Sequence, residues 1–474
     1  MIDRTEILDI ATELSLSHDV VEKDYVLGWL LAGIYAHEQL AAAWVFKGGT
    51  CLKKCYFETY RFSEDLDFTL TEASHLEEAF LRGAFAEVAA WVYDQSGIEL
   101  PADQMRFAVF PNPRGSQSGE GRIYYNGPLG RGGNLPRIRL DLTVDELLVL
   151  PPVARPVNHP YSDSPEWAIT ARCYAYEEVF AEKIRALGER TRPRDLYDVI
   201  NLFRHGEFRP AAAVTLDVLK QKCGFKKIPV PTLKGLAGAA EELLADWQAM
   251  LGHQLPVLPP FEGFWNVLPE LFRWLEGGPE MARLVAAPLG TDEEVVRPAV
   301  GTLRREGILG SSFLEIARFA AANRLCVDLA YHGSVRRIEP YSLRRTRAGE
   351  ILLYAVRSDS GEARSYRVDR IQGVQVTNQT FTPRYTVELT PMAIGPIPPL
   401  TRSSSVSALG RSLGVARPTR RTPRPKRSPT YVFQCGVCGK KFEHSSNDSH
   451  LRAHKAPGGY ACSGRTGFLV RVKS

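Results

Sequence analysis

Lys47-Gly48-Gly49-Thr50 is followed, after a short gap, by Arg61-Phe62-Ser63-Glu64-Asp65-Leu66-Asp67-Phe68. The order reads as a glycine turn, a helix, and a strand bearing two carboxylates. Paired glycines before a helix allow close approach of the backbone to a phosphate, and free N–H donors at the helix start add partial positive charge. Alternation along the strand puts Asp65 and Asp67 on one face and Leu66 and Phe68 on the other. Neighbouring carboxylates repel unless a cation lies between them, and beside a phosphate cradle the natural cation is Mg²⁺. Lys47, Gly48, Gly49, Thr50 and Ser63 are thus candidates for nucleotide binding, and Asp65 and Asp67 for metal binding and catalysis.

A third acid is expected from Arg137-Ile-Arg-Leu-Asp-Leu-Thr-Val144, which alternates cleanly. Ile138, Leu140, Leu142 and Val144 should face the core, and Asp141 lies on the polar face, where it would share the metal or activate the acceptor hydroxyl. Further on, Phe180, Ile184 and Leu187 give one helical stripe, and Leu196, Val199, Ile200 and Phe203 a second behind Pro193. These helices carry Lys183 and Arg194, a point charge and a fork for triphosphate oxygens. Asp198 is four residues beyond Arg194, placed to orient it or a nucleobase. Tyr25, Tyr56 and Tyr60 read as packing residues, and Cys51 and Cys55, one turn apart, as small hydrophobes.

The Gly-Gly-Thr turn, the Arg-Phe-Ser-Glu-Asp-Leu-Asp-Phe strand, and Glu178 to Lys183 with Arg194-Asp195-Leu196-Tyr197-Asp198 together resemble the AbiEii/AbiGii toxin family of nucleotidyltransferases over about residues 1–275. The resemblance implies a polymerase-beta-type nucleotidyltransferase fold, an NTP donor, and a toxin role in a bacterial toxin–antitoxin or phage-defence system. It also implies an RNA acceptor, tRNA in particular, and a cognate antitoxin.

The rest of the chain adds smaller modules. Residues 1–46 and about 75–95 read as helices, Ala43 to Phe46 as a buried strand, and Asn112 to Asn134, rich in Gly, Pro, Asn and Ser, as a mobile loop. The expected organisation is α+β and multidomain. Residues 1–275 form the nucleotidyltransferase with a helical C-terminal part. Then come a helical connector (276–311, with a winged-helix-like fragment near 290–310), a third module (312–388), a basic Pro/Ser/Arg-rich linker (389–430) and a small module (431–474).

Residues 312–388 show one helix and several strands. Ile338 to Leu343, Ile351 to Val356 and Arg364 to Ile371 resemble a WYL domain, which implies a small SH3-like β-barrel; of the naming tripeptide only the tyrosine is kept, in Leu353-Tyr354-Ala355. Tyr341, Tyr354 and Tyr366 interleaved with Arg345, Arg364 and Arg370 suggest a stacking surface for single-stranded nucleic acid or a nucleotide.

In the last module Cys435-Gly-Val-Cys438 is followed by Phe442, His450, Leu451, His454 and Cys462. The knuckle predicts structural Zn²⁺. It resembles a ββα zinc finger, but with His450 and His454 as ligands the Cys-to-His spacing is one residue short and Cys462 is unused. Cys435, Cys438, His454 and Cys462 are the preferred set. Metal would supply most of the folding energy of so small a core.

Residues 389–474 hold 15 Lys/Arg against 2 acids, while the whole chain has a net charge of +5. The basic end is therefore the expected contact for RNA or DNA. The few scattered cysteines do not fit a secreted disulfide scaffold, and no apolar run is long enough to span a bilayer, so a cytoplasmic protein is expected. The leading expectation is a Mg²⁺- and NTP-dependent nucleotidyltransferase; the alternatives are a nucleic-acid-binding regulator with a ligand-sensing transferase fold, and nucleotidylation of a protein.

Overall fold

The computed structural model describes residues 1–57, 61–112, 114–130, 133–279, 284–297 and 311–389, with 393–394 and 397 and, near the C-terminus, 430–435, 437–444, 449–452, 454, 456, 462–464 and 466–473. It divides into two units, Met1–Ala408 and Leu409–Ser474. Tyr60, residues 298–310 of the expected winged-helix fragment, and nearly all of the expected linker lie outside the described residues.

The first unit begins with α1 (Arg4–Leu14), α2 (His18–Ala36) and α3 (Glu38–Ala43). Asp3 and Ser17 cap the first two helices by accepting from the backbone N–H groups of Thr5 and Asp19. α2 is buried almost all round, as its unbroken apolar run from Tyr25 to Ile34 requires. There follow β1 (Trp44–Lys47), α4 (Gly48–Cys51) running into a π-helical turn (Leu52–Tyr56), β2 (Asp65–Leu70) and α5 (Glu78–Ser96).

β3 (Arg106–Pro111), β4 (Gln117–Tyr124), β5 (Arg137–Thr143), β6 (Val153–Pro156) and β7 (Thr170–Cys173) complete a seven-stranded sheet of order β3-β4-β5-β2-β1-β7-β6. β2 runs parallel to β5 and antiparallel to β1. The expected loop at 112–134 is here corrected in its middle, where Gln117–Tyr124 form β4. Its glycines misled because they serve the sheet. A Cβ on Gly119 would sit 2.9 Å from Leu76, and one on Gly121 3.0–3.1 Å from Leu140 and Phe107. The large neighbours fill the space the glycines leave.

α6 (Tyr176–Arg190) and α7 (Pro193–Arg204) match the expected stripes, with Phe180, Ile184, Leu187, Leu196, Val199, Ile200 and Phe203 all buried. α8 (Ala212–Lys226), α9 (Leu233–Leu236), α10 (Ala240–Leu251), α11 (Glu262–Trp265) and α12 (Leu268–Leu275) form the helical extension.

The region expected as a helical connector contains no helix among its described residues 276–279 and 284–297; it supplies β8 (Glu293–Val295). After α13 (Ser311–Ala322) come β9 (Leu325–Tyr331), β10 (Ser334–Thr346), β11 (Ile351–Arg357), β12 (Ala363–Arg367) and β13 (Ile371–Thr380). Their order is β12-β11-β10-β9-β13, with β8 on β10. This path does not close on itself among the described residues, so the expected closed barrel is not found there.

One hydrophobic core runs from Ile2 to Leu389, which joins the seven-stranded sheet and its helices to the sheet of β8–β13. Beyond the sheet the backbone returns: Ala393 bridges Phe57, the Ile394 N–H donates to the Tyr56 carbonyl (2.9 Å), and the buried Arg155 guanidinium donates to the Ile394 carbonyl.

The second unit is a three-stranded antiparallel sheet, β14 (Thr430–Cys435), β15 (Lys441–His444) and β16 (Gly467–Lys473), in the order β15-β14-β16. Among its described residues there is no helix, in contrast to a ββα finger.

Candidate active site

Strand register puts four charged residues in one row across the sheet: Glu120, Asp141, Asp67 and Lys47. Asp65 is two residues from Asp67 on the same half-exposed face, while Leu66 and Phe68 are buried beneath. The parallel pairing of β2 with β5 is what brings Asp141 beside Asp67, although 74 positions separate them in sequence.

Gly48 adopts φ +82°, and a Cβ there would lie 2.0 Å from Asp67 Oδ2. The first glycine therefore serves twice, in the left-handed turn and as the surface against which the Asp67 carboxylate rests. A Cβ on Gly49 would meet the Arg61 guanidinium at 2.6 Å. Thr50 is buried, and its hydroxyl donates to the Asp65 carbonyl, tying α4 to β2. Ser63 Oγ lies 3.1 Å from the same Gly49 position.

Burial and the charge of Asp67 push the Asp65 carboxyl up, and raise Asp141 to about 6. Asp141 accepts from Arg139 Nη2 at 2.9 Å, and that guanidinium also lies 3.6 Å from Glu120. Among the described residues no protein cation is within ion-pair distance of Asp65 or Asp67. Two crowded carboxylates with a third raised beside them fit a divalent cation by charge and by oxygen-donor chemistry. The three acids are not drawn together to within 4.8 Å, as the cysteine groups below are; Asp141 is engaged by Arg139.

A cleft of about 180 Å³ opens beside Gly48 and Asp67, lined also by Lys47, Glu146, Glu182, Lys183 and Arg190. Lys47 Nζ is 3.7 Å from Glu146 and 3.8 Å from Glu182, beyond hydrogen-bond distance. Lys183 is 2.7 Å from Asp198 and 3.7 Å from Asp195, and Arg190 forks onto Asp195 at 2.7 and 2.9 Å. Arg194 is half-buried, its Nε donating to the Met250 carbonyl at 3.2 Å.

Asp198 has a different setting from the one its spacing suggests. It receives a two-pronged contact from Arg61 (2.7 and 2.8 Å) as well as Lys183. Burial alone would raise its carboxyl, but Arg61 and Lys183 outweigh burial and hold it well below the usual range. Sequence reasoning passed over Arg61 as an anchor. The available signal was an arginine at the edge of a strand whose following residues are apolar and acidic. It also passed over Lys222, fully buried against Glu178 (2.9 Å) and Glu182 (2.8 Å), which braces α6 against α8.

The stacking surface expected on the third module is a correction. Tyr341, Tyr354 and Tyr366 are buried, so their faces are packed inside the sheet. Arg345 is 3.8 Å from Glu294, Arg364 is 2.7 Å from Glu362, and Arg370 is exposed. The arginine that does stack, Arg344, is itself buried, 3.5 Å from the Tyr354 ring centre and paired with Glu293.

In the second unit one ligand atom from each of Cys435, Cys438, His454 and Cys462 lies within 4.8 Å of the others. Cys435 and Cys462 sulfurs are 3.8 Å apart, the edge of about 3.8 Å that a tetrahedron with Zn–S bonds of about 2.3 Å requires. Backbone N–H groups of Cys438 and Val437 lower the Cys435 thiol to about 6. His454 Nδ1 is 2.9 Å from the Arg452 carbonyl, which leaves Nε2 toward Cys438 at 3.2 Å. His450 instead bridges Thr466. The donor set and spacing fit a structural zinc ion.

The sequence model described as the nucleotidyl transferase AbiEii toxin of type IV toxin–antitoxin systems matches residues 29–274, more than half of the chain. The chain belongs to the AbiEii nucleotidyltransferase toxin family. A WYL domain follows the AbiEii region at residues 312–376. Solved structures similar to this AbiEii chain include MenT4, a nucleotidyltransferase toxin from Mycobacterium tuberculosis H37Rv (19% identity, TM-score 0.42, covering 58% of this chain and 90% of MenT4). JHP933 from Helicobacter pylori is also similar (18% identity, TM-score 0.35, covering 55% and 95%). No curated protein matches the sequence. No helix among the described residues of this AbiEii protein is long and apolar enough to cross a membrane.

Proposed function

We propose that this AbiEii protein is a cytoplasmic toxin that transfers a nucleoside monophosphate from an NTP to an RNA acceptor, tRNA foremost, and is countered by an antitoxin. The observation that carries the reading is Asp141 in register with Asp67, beside Asp65 and against the Gly48 turn. Asp65, Asp67 and Asp141 would hold Mg²⁺, which when bound supplies positive charge and orientation at the reacting phosphate. Backbone N–H groups of Gly48 to Thr50 face the phosphates, with Lys47 beside them. Lys183, Arg194 and Ser63 complete the triphosphate contacts, and Asp198 positions Lys183 and Arg61. The acceptor hydroxyl oxygen attacks the α-phosphorus, its proton passes to the Asp141 carboxylate, and pyrophosphate leaves. The basic stretch 389–474, with the exposed Arg370, attracts the RNA backbone.

The test is label transfer from α-³²P NTPs to total RNA with Mg²⁺. Asp67→Asn should lower transfer by about 10³-fold or more, in line with losses seen when a group acting in the transition state is removed. Unchanged labelling would refute the reading, and label found on protein instead would move the acceptor class. Zn²⁺ holds the second unit together in this proposal: a chelator should collapse the amide NMR dispersion of Thr430–Lys473 and leave the cooperative unfolding of the first unit in place.

A further inference from the structure

Of the five cysteines in the first unit, three meet at one point: the sulfurs of Cys51, Cys55 and Cys173 lie within 4.8 Å of one another. All three are fully buried. Cys51 closes α4, the short helix that begins at Gly48; Cys55 follows on the π-helical turn, four residues on and therefore on the same face; Cys173 ends β7, opposite Phe46 of β1. The π-helical geometry, with Phe57 N–H donating to the Leu52 carbonyl at 2.9 Å, is an uncommon local form that recurs at functional sites. Neither the AbiEii chemistry nor the zinc-type cluster uses these thiols.

We propose that Cys51, Cys55 and Cys173 form a buried three-sulfur site for a soft, thiophilic cation of the copper(I) class. Thiolates select soft ions, and among the described residues no fourth His, Cys, Asp or Glu joins the three buried sulfurs, so a three-coordinate ion fits better than four-coordinate zinc. Metal–sulfur bonds of about 2.3 Å place trigonal sulfurs about 4.0 Å apart, so the present separations need only small side-chain shifts. The excess negative charge of three thiolates has a neighbour of opposite sign in Arg155, buried, with Nε donating to the Cys55 carbonyl at 3.1 Å. Binding replaces three S–H protons, released to solvent, with three metal–sulfur bonds and changes no oxidation state. The bound ion would fasten α4, and with it the Gly48 turn, to β7.

The test uses the full chain, reduced without oxygen, equilibrated in one arm with copper(I) as a buffered chelate and in another with zinc, then desalted and counted by plasma mass spectrometry. The native chain should hold about one copper ion more than Cys173→Ala or Cys51→Ala, with Cys223→Ala and Cys326→Ala as unaffected controls. In the native chain, loading should slow alkylation of Cys51, Cys55 and Cys173 by at least about tenfold, a readout that needs no variant to fold. Equal copper in native and Cys173→Ala chains together with unaltered alkylation would overturn the site, as would selective retention of zinc by these thiols. Metal content and alkylation are read without turnover, so this result and the transferase reading fail separately.

Discussion

The AbiEii sheet and the WYL sheet are both dense in arginine and acid, but they pair them differently. Around the AbiEii sheet two buried pairs join residues remote in sequence: Arg61 and Asp198 are 137 residues apart with side chains 3% and 0% exposed, and Lys54 meets Asp24 across 30 residues. On the WYL sheet several pairs are local and open to water: Arg357 with Asp359, Arg367 with Asp369, two positions apart in each case, and Arg337 with Asp328 across nine, while Arg344 with Glu293 is a buried, remote exception. A remote buried pair fixes where elements meet, because either charge left alone has no water to fall back on. A local exposed pair mainly lowers the net field of its own strand, and contributes little to stability.

The sharpest way to break this contrast is Asp198→Asn, which leaves Arg61 and Lys183 without their shared carboxylate. We expect a loss of about 3–5 kcal/mol in denaturant unfolding of the first unit; a loss below about 1 kcal/mol would erase the distinction. Next is Asp141→Asn. The Asp141 carboxyl is raised to about 6, above its unfolded value, so its favourable contribution is present at low pH and is lost as pH rises through about 6. In metal-free protein the asparagine should therefore be the more stable form at pH 7.5, by on the order of 1 kcal/mol after solvent screening. The advantage should shrink as pH falls from 6 to 4; thermal melts at both ends of that range measure it. The smallest effect belongs to Arg357→Ala, whose thermal midpoint and transfer rate should match those of the native chain within experimental error.

The same contrast governs what could be read in advance. The Gly48–Gly49 turn, the Asp65-x-Asp67 strand and the alternation around Asp141 carry their geometry in local spacing, and the register sets Asp141 beside Asp67. The zinc-type ligands were legible through the Cys-x-x-Cys knuckle. Asp198 was legible as a polar residue on the second helix but neither in its burial nor in its partner, since nothing local ties position 198 to position 61. β4 was hidden because Gly119 and Gly121 resemble loop residues until Leu76, Leu140 and Phe107 are seen to crowd them. The WYL tyrosines were misplaced for a reason that was visible: Glu362-x-Arg364, Arg357-x-Asp359 and Arg367-x-Asp369 already neutralise the run of arginines, leaving the rings free to turn inward.

The return of Ala393 and Ile394 to Tyr56, Phe57 and Arg155 bears on how the WYL sheet could influence catalysis. A module continuous with the core before its first strand and stitched down again after its last cannot swing as a free lever. Any strain reaching this end of the sheet meets the turn that follows Cys51, one helical turn from Gly48 and Gly49.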